Sequence, residues 1–403
     1  TGDIALAAGG DVVLAEGAAV YTAGWNQGPD EAMLEPLAGR FLDGELFLGL
    51  LTNLGQYPVE GGDIDVRASG DLLALADQSA VSLPTQWQPR IGEAQPTTRT
   101  GTIGQIFGAV PTHSAIAFDR FSDGVAALGG GEVSIAVDGD VRDVILAVPV
   151  TARATGDVQM EVGGGPLDIF FPEADSEVIE YSGGGNLNLT AGGDFLGGQV
   201  HVGGGEARLR VGGITGTGSG GRDPLIFAGH DGRVRWEGNR GIAIEGIIDP
   251  ATVRLSESQL GLASLVGAGN SGLLFADNLW FSYSDTTAVD LVTLSGDISL
   301  ENSSTVTNII AGQGQQLPPT LKAASLGGDL RIVNANLTFY PSPIGQLELL
   351  ARGDIAGDIG TAIVQSDQDA TQLPSPLSPV KPDATAAFIL DNALEPVHAD
   401  DPQ

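Results

Sequence analysis

Two groups of carboxylates in this sequence have the spacing that acid–base chemistry requires. The first group surrounds Arg142 and consists of Asp138, Asp140 and Asp143. The second group is contained in the ten-residue segment 168–177 and consists of Asp168, Glu173, Asp175 and Glu177. Two carboxylates act as acid and base only when their surroundings separate their pKa values, which a sequence does not show. Asp140 also lies in a predicted turn, which explains it without catalysis. We therefore predict no catalytic residues and keep enzymatic activity as an alternative.

Other chemical motifs fail at particular positions. The four histidines, His113, His201, His230 and His398, lack the spacing of a zinc site. The calcium-binding nonapeptide needs glycine at its fourth position, where the segment 163–168 has Pro166. No GxSxG motif occurs, and the glycine-rich segment 216–221 lacks the GK[ST] of a phosphate-binding loop. We predict no metal site and no cofactor, with adventitious calcium at acidic turns as an open alternative.

Composition excludes several classes of protein. The formal net charge is −33, from 51 acidic and 18 basic residues, so nucleic-acid binding is disfavoured. The chain has no cysteine, which excludes disulfides and thiolate metal sites and fits an exported protein. No apolar run approaches the ~20 residues of a transmembrane helix. The sequence begins inside a repeat, so we expect a segment of a longer protein.

Glycine followed by a polar residue recurs at intervals of eight along the chain, and short alternating apolar runs lie between. The predicted turn residues are Gly62, Asp63, Gly70, Asp71, Gly131, Gly139, Asp140, Gly185, Gly193, Asp194, Gly296, Asp297, Gly328, Asp329, Gly353 and Asp354. We expect the glycines to supply a positive φ and the Asp and Asn side chains to bond their own backbone. In Leu187–Thr190 the leucines alternate with polar residues, the period of a half-buried strand.

These strands and turns predict an all-β fold, a right-handed parallel β-helix with loop insertions. Glycine makes up 60 of the 403 residues and aromatic residues only 5%, so we expect a narrow core of Ala, Val, Leu and Ile. Coils of roughly 20–25 residues, stacked about 4.8 Å apart, would number about 14–17. Helical patterns are confined to Val289–Leu294 and Ala384–Ala393.

The repeat divides the chain into two regions. Residues 1–365 form the predicted β-helix, with insertions at about 21–60 and 77–128 where the pattern is lost. The second insertion is rich in Pro, Thr and Gln and is either a functional loop or decoration. Residues 366–403 are dominated by Pro and Asp and predict a linker or loosely packed tail.

The main aromatic cluster is Trp280, Phe281 and Tyr283. In a strand, Phe281 and Tyr283 would share one face and Trp280 would lie on the other. The cluster is either a platform that contacts a sugar ligand or part of the core, and packing in the core is the favoured interpretation.

Four phrases resemble the repeat regions of the filamentous haemagglutinin family. They are the GGGNLNLTAGGD phrase at 183–194, GIIDPATV at 246–253, FYPSPIGQL at 339–347 and GQLELLARGDI at 345–355. The resemblance covers much of 129–375 and implies a β-helical segment of a large bacterial exoprotein. For the full-length protein it further implies export by two-partner secretion through an outer-membrane partner. The family has no catalytic motif to transfer.

The predicted function is structural and adhesive, for a secreted or cell-surface segment that contacts surfaces, glycans or other copies of itself. Two alternatives remain: a β-helical polysaccharide lyase or glycosidase, and a subunit of a self-assembling extracellular filament. Carboxylates spread evenly over turns would favour the adhesin, and a cluster beside an arginine in one groove would favour the enzyme.

Overall fold

The fold is all-β and is dominated by long parallel sheets. The computed structural model describes residues 2–26, 57–75, 87–88, 90–95, 108–114, 116–155, 158–159, 173–174, 178–218, 224–252, 281–301, 315–333, 336–365, 369–370, 373 and 375. These residues include 33 strands, numbered in chain order. Nearly all of the predicted tail 366–403, and Trp280, lie outside the described residues.

The first column is a row of nine parallel strands, each hydrogen-bonded to the next. Its members are β1 (Ile4–Ala8), β6 (Ile64–Ala68), β11 (Val133–Val137), β18 (Leu187–Ala191), the later part of β20 (Gln199–Val211), the later part of β22 (Ile226–Gly238), β25 (Ala288–Thr293), β28 (Thr320–Ser325) and β31 (Gln346–Ala351). The pairing keeps one register, so that Ile64 lies between Ile4 and Val133. Apolar residues of the alternating strands therefore stack directly on one another.

The second column is a nine-stranded sheet of shorter strands that follow the first-column strands in the chain. They are β2 (Val12–Leu14), β7 (Leu72–Ala74), β12 (Val141–Arg142), β19 (Phe195–Leu196), β21 (Ile214–Gly216), β23 (Gly241–Ile244), β26 (Ile298–Glu301), β29 (Leu330–Val333) and β32 (Ile355–Gly357). All neighbours in this column are parallel.

The third column follows the second in the chain. It contains β3 (Ala19–Thr22), β10 (Gly124–Ala127), β13 (Ile145–Val148), the early parts of β20 and β22, and β24 (Gly246–Ile248), then β27 (Gln315–Leu317), β30 (Asn336–Phe339) and β33 (Ala362–Gln365). The last three strands form a separate parallel sheet, whose β27 lies against β24. Within the described residues the chain thus passes through the three columns, in the same order, nine times.

One hydrophobic core lies between the three columns. Val66, Leu72 and Val125 come from the first, second and third columns, and all three side chains belong to a single buried cluster. Within it Trp236 stacks on Phe195, with ring centroids 5.6 Å apart. The core therefore contains large aromatic side chains as well as the predicted aliphatic ones.

A second layer covers the outer face of the third column. It includes an antiparallel sheet of β8 (Arg90–Gln95), β9 (Gly108–Ser114), β14 (Val150–Thr155) and β17 (Val178–Gly183). Trp87 and Phe121 pack there against Ile145 of the third column. The remaining described elements are two antiparallel pairs, β4 (Trp25–Asn26) with β5 (Pro58–Val59) and β15 (Val158–Gln159) with β16 (Glu173–Ala174), and 3₁₀ turns at Phe118–Arg120 and Pro250–Thr252.

Three details differ from the sequence-based expectations. The predicted helix at Val289–Leu294 is wrong, because Ala288–Thr293 forms strand β25 in the middle of the first column; Ala384–Ala393 lies outside the described residues. The described chain makes nine circuits instead of 14–17, because some circuits contain long additional segments. The parallel sheets also include Ala19–Thr22 and Gly124–Ala127, which overlap the predicted insertions.

Candidate functional site: the turn rows and the outward faces

The second turn row, between the first and second columns, is a ladder of aspartates. Oδ1 of Asp11 accepts the backbone N–H of Asp71 at 2.9 Å, and Oδ1 of Asp71 accepts that of Asp140 at 2.7 Å. Further bonds of this kind run from Asp194 to Asp140, Ile214 to Asp194, Asp329 to Asp297 and Asp354 to Asp329, at 2.7–3.0 Å. Each carboxylate thus ties its circuit to the next one.

The first turn row precedes the first-column strands and uses the same bond with more varied residues. Oδ1 of Asp3 accepts the N–H of Asp63, and Oδ1 of Asp63 accepts the N–H of Glu132. Oδ1 of Asn186 accepts the N–H of Glu206 at 3.0 Å, so an amide oxygen serves as well as a carboxylate. All the turn residues predicted from the sequence lie in these two rows.

The ladder explains most of the glycines in this row; at Gly296 a Cβ would instead meet the backbone of Arg240. A Cβ built on Gly139 would lie under 3.0 Å from Oδ1 of Asp71 and from backbone atoms of Gly70. The same carboxylate conflict holds at Gly70, Gly193, Gly213, Gly328 and Gly353. None of these six glycines has φ in the left-handed region. In the second turn row the predicted reasons were therefore wrong: the glycine makes room for the preceding circuit, and the aspartate bonds the following circuit instead of its own backbone. In the first turn row Gly131 does have the predicted positive φ, of 118°.

Arginines reinforce this ladder at two points. Arg142 pairs with Asp140, and Nη2 of Arg331 lies 3.0 Å from Asp329 and 3.3 Å from Asp297. Partial burial raises the pKa of Asp140, but the N–H of Asp194 and the Arg142 guanidinium outweigh it, and the pKa falls below its ordinary value. The N–H of Asp354 and then Arg331 lower the pKa of Asp329. Both carboxylates are therefore held in the charged form that accepts these bonds.

The candidate catalytic carboxylates do not all come together in the described residues. Asp140 uses Oδ1 for the ladder and Oδ2 for Arg142. Asp143 has a left-handed backbone, with φ of 55°, at the turn after β12. In the second group, Glu173 lies in the pair β15–β16, whereas Asp168, Asp175 and Glu177 lie outside the described residues. Among the residues that the structure describes, no group of three or more His, Asp or Glu side chains could hold a metal ion.

Four arginines form a patch on the outward face of the first column, and sequence reasoning did not find it. Arg208 and Arg210 on β20 lie beside Arg233 and Arg235 on β22, and Arg208 is directly opposite Arg235. The side chains of Arg208, Arg210 and Arg235 are 58–69% exposed. We call these four residues the arginine patch. Only the pairing of β20 with β22 brings them together.

Acidic side chains position this patch without covering it. Glu206 lies 2.5 Å from Arg208, and Glu237 lies 2.7 Å from Arg235 and 3.3 Å from Arg210. Asp290 follows Arg235 on the neighbouring strand. Exposed ion pairs of this kind contribute only about 0–1 kcal/mol each, so the guanidinium groups can exchange partners with a ligand.

The described members of the aromatic cluster are buried. Phe281 and Tyr283 are 1% and 2% exposed, and both rings pack against Tyr340. The hydroxyl of Tyr283 donates to the carbonyl of Gln316 at 3.1 Å. The two rings therefore pack inside the protein and do not form an exposed platform for a ligand.

Polar groups are buried beside the covering layer. Asp249 accepts bonds from the backbone N–H and the hydroxyl of Ser282, at 2.7 and 2.5 Å. His201 on β20 contacts the Trp87 ring edge-on, with centroids 4.8 Å apart, and its Nε2 lies 3.0 Å from Gln199. Burial, with a smaller effect of His230, lowers the pKa of His201 to about 3. Nothing in the sequence spacing indicated that His201 would be covered.

Comparisons of the chain with protein-family models, with curated proteins and with solved structures gave no match. In the described part of the chain, no helix has the length and hydrophobicity needed to cross a bilayer.

Proposed function

We propose that the three columns form a right-handed parallel β-helix, in which each circuit is one coil. Three observations support this proposal: the fixed order of the columns, their parallel register and the single core between them. Stacked coils of this kind depend mainly on their neighbours for stability. The turn rows provide that dependence through a side chain of one coil and the backbone of the next.

We infer a structural and adhesive function for this β-helix, as a segment of a secreted or cell-surface bacterial exoprotein. The observation that carries the inference is that the described turn carboxylates are distributed along the coils, in seven of the nine circuits of the second turn row, and bond the backbone. The exposed side chains on the outward faces of the coils are then available for contacts with a surface, a glycan or another copy of the protein. The resemblance to the filamentous haemagglutinin family is the basis for proposing two-partner secretion.

The arginine patch is the proposed contact surface for an anionic glycan. It brings four guanidinium groups together beside the carboxylates of Glu206, Asp231, Glu237 and Asp290, on a protein whose net charge is −33. Adjacent parallel strands are about 4.8 Å apart, which places Arg208 and Arg235 within reach of successive charges on an extended polymer. Planar guanidinium groups bind carboxylate and sulfate oxygens in pairs.

Binding to immobilised glycans tests this function. Beads coated with the protein should adhere to hyaluronan or chondroitin sulfate more strongly than to neutral dextran. The double variant Arg208→Ala/Arg235→Ala should lose most of this difference, and Arg67→Ala, which removes an exposed arginine on β6, should keep it. Equal adhesion to all three polymers would contradict the proposal. Release of reducing ends from them would favour the enzyme.

A further inference from the structure

The last described circuit exposes the apolar core on one side. Its core-facing residues Leu347, Ile355 and Ile363 are 36%, 52% and 40% exposed, although their partners on the preceding strands are at most 2% exposed. Among the described strands, none pairs with the far edge of β31, β32 or β33. This face therefore requires a covering element, because an apolar surface beside three unpaired strand edges attracts other chains.

The chain stays against the protein after its last strand. Leu373 lies eight residues beyond Gln365, where β33 ends, and it is only 2% exposed. The connection that runs from Gln365 to Ala384 spans up to about 60 Å when fully extended. The first-column strand of the same circuit, β31, is only about 20 Å long. A segment that begins at Ala384 can therefore reach every part of the exposed face.

The sequence of this segment has an apolar stripe at helical spacing. Asp383 is a preferred N-cap residue and Pro396 ends a helix, so the sequence predicts a helix over 384–395. Its apolar residues follow the i, i+3, i+4, i+7, i+8 pattern of one helix face and are Ala386, Ile389, Leu390, Ala393 and Leu394. A helix of this length is about 18 Å long and is marginal by itself in water. It therefore needs a surface on which to bury the stripe.

We propose that the helix 384–395 lies across the exposed face of β31, β32 and β33 and covers it with its apolar stripe. The length of the helix matches the length of β31, so one element covers the core from side to side. Phe388, Asp391 and Glu395 lie on the opposite side of the helix and give this cap a polar outer face. The proposal rests on the stacked coils proposed above, and it assigns the covering of this face to the same chain.

Thiol reactivity measures this cover directly, because the chain has no native cysteine. Ile355→Cys places a thiol at a core-facing position of β32, and Ile359→Cys places one in the next turn, where the side chain is fully exposed. Both single variants of the full chain are labelled with an aromatic disulfide reagent. We expect Ile355→Cys to react at least about tenfold more slowly than Ile359→Cys, because its thiol reacts only when the cap opens.

A matched pair of substitutions identifies the covering segment. Leu390→Asp places a charge in the apolar stripe, and Phe388→Asp places the same charge on the opposite side of the helix. Added to Ile355→Cys, Leu390→Asp should raise the labelling rate to that of Ile359→Cys, whereas Phe388→Asp should leave it slow. Circular dichroism of both variants should retain the β-sheet signal, because neither residue belongs to the columns.

Three results would overturn the proposal. In the first, Ile355→Cys reacts as fast as Ile359→Cys or stays slow with Leu390→Asp, so that the stripe does not cover it. In the second, Leu390→Asp and Phe388→Asp act alike, as they would in a strand, where the two residues share one face. In the third, labelling is slow only at high protein concentration, so that a second copy provides the cover. Each result leaves glycan binding at the arginine patch, and with it the adhesive function, to be judged separately.

Discussion

A side-chain oxygen that bonds the backbone of the next circuit accounts for the most frequent motif of this sequence. In a Gly-Asp pair the aspartate accepts a backbone N–H from the next circuit, and the glycine leaves space for the previous carboxylate. Asn186 makes the same bond without a charge. The essential property is therefore a short side chain with an acceptor oxygen, and the charge is secondary.

Substitutions at Asp71 test this property. Asp71→Ala removes the acceptor for the N–H of Asp140 and should lower the free energy of unfolding by about 1–3 kcal/mol. Asp71→Asn should retain most of the stability, as Asn186 suggests. Urea unfolding of the two variants and the parent provides the comparison, and equal losses in both variants would mean that charge matters more than the hydrogen bond.

Burial of His201 predicts a loss of stability in acid. Its pKa is about 3 in the folded protein and ordinarily 6.5, so the unfolded chain takes up a proton in this range and the folded chain does not. The contribution is fully present above pH 6.5 and is lost as the pH falls, at up to about 1.4 kcal/mol per pH unit. In His201→Gln the curve of unfolding free energy against pH should be flatter below 6.5. Parallel curves for parent and variant would show that His201 is not responsible.

At the residue scale, spacing was sufficient to locate the turns but not to explain them. The eight-residue interval identified both turn rows, because a strand and a tight turn have nearly fixed lengths. The hydrogen bonds run between residues such as Asp71 and Asp140, which are far apart in sequence. Local turn chemistry alone therefore led to the wrong role for the glycines of the second turn row.

Strands with one exposed face were the elements that the sequence predicted best. In β18, Leu187 and Leu189 are buried and the intervening Asn188 is partly exposed, as the period of two requires. The third column lacks this signal, because its outer face is covered. All four residues of β10 are buried, Val125 in the central core and Ala126 under the second layer. A strand buried on both faces has no alternation, so this segment could not be separated from the insertion.

The alternation of buried and exposed side chains along β22 predicts that substitutions at neighbouring positions differ strongly in their cost to stability. Trp236 is fully buried and stacks on Phe195, so Trp236→Ala should cost about 3–5 kcal/mol of unfolding free energy. Arg235→Ala, one residue away on the exposed face, should cost no more than about 1 kcal/mol. Chemical denaturation measures both, and similar losses would contradict the assigned orientation of the strand.

At the scale of the whole molecule, the number of circuits could not be predicted from the sequence. Corresponding first-column strands begin 20 residues apart at Leu187 and Ala207 but 69 apart at Ile64 and Val133. A repeat with such variable spacing fixes the class of fold and leaves its length undetermined. The nine described circuits at about 4.8 Å span roughly 40 Å.

The most direct test of this account is the register between circuits, measured with disulfides in a chain that has no native cysteine. Ala136 on β11 lies directly opposite Thr190 on β18, and both are exposed. Ala136→Cys with Thr190→Cys should oxidise readily, because adjacent parallel strands are about 4.8 Å apart. Ala136→Cys with Asn188→Cys is shifted by two residues, to about 8 Å, and should not form the bond. Efficient oxidation of the shifted pair, or none of the matched pair, would contradict the stacked parallel coils.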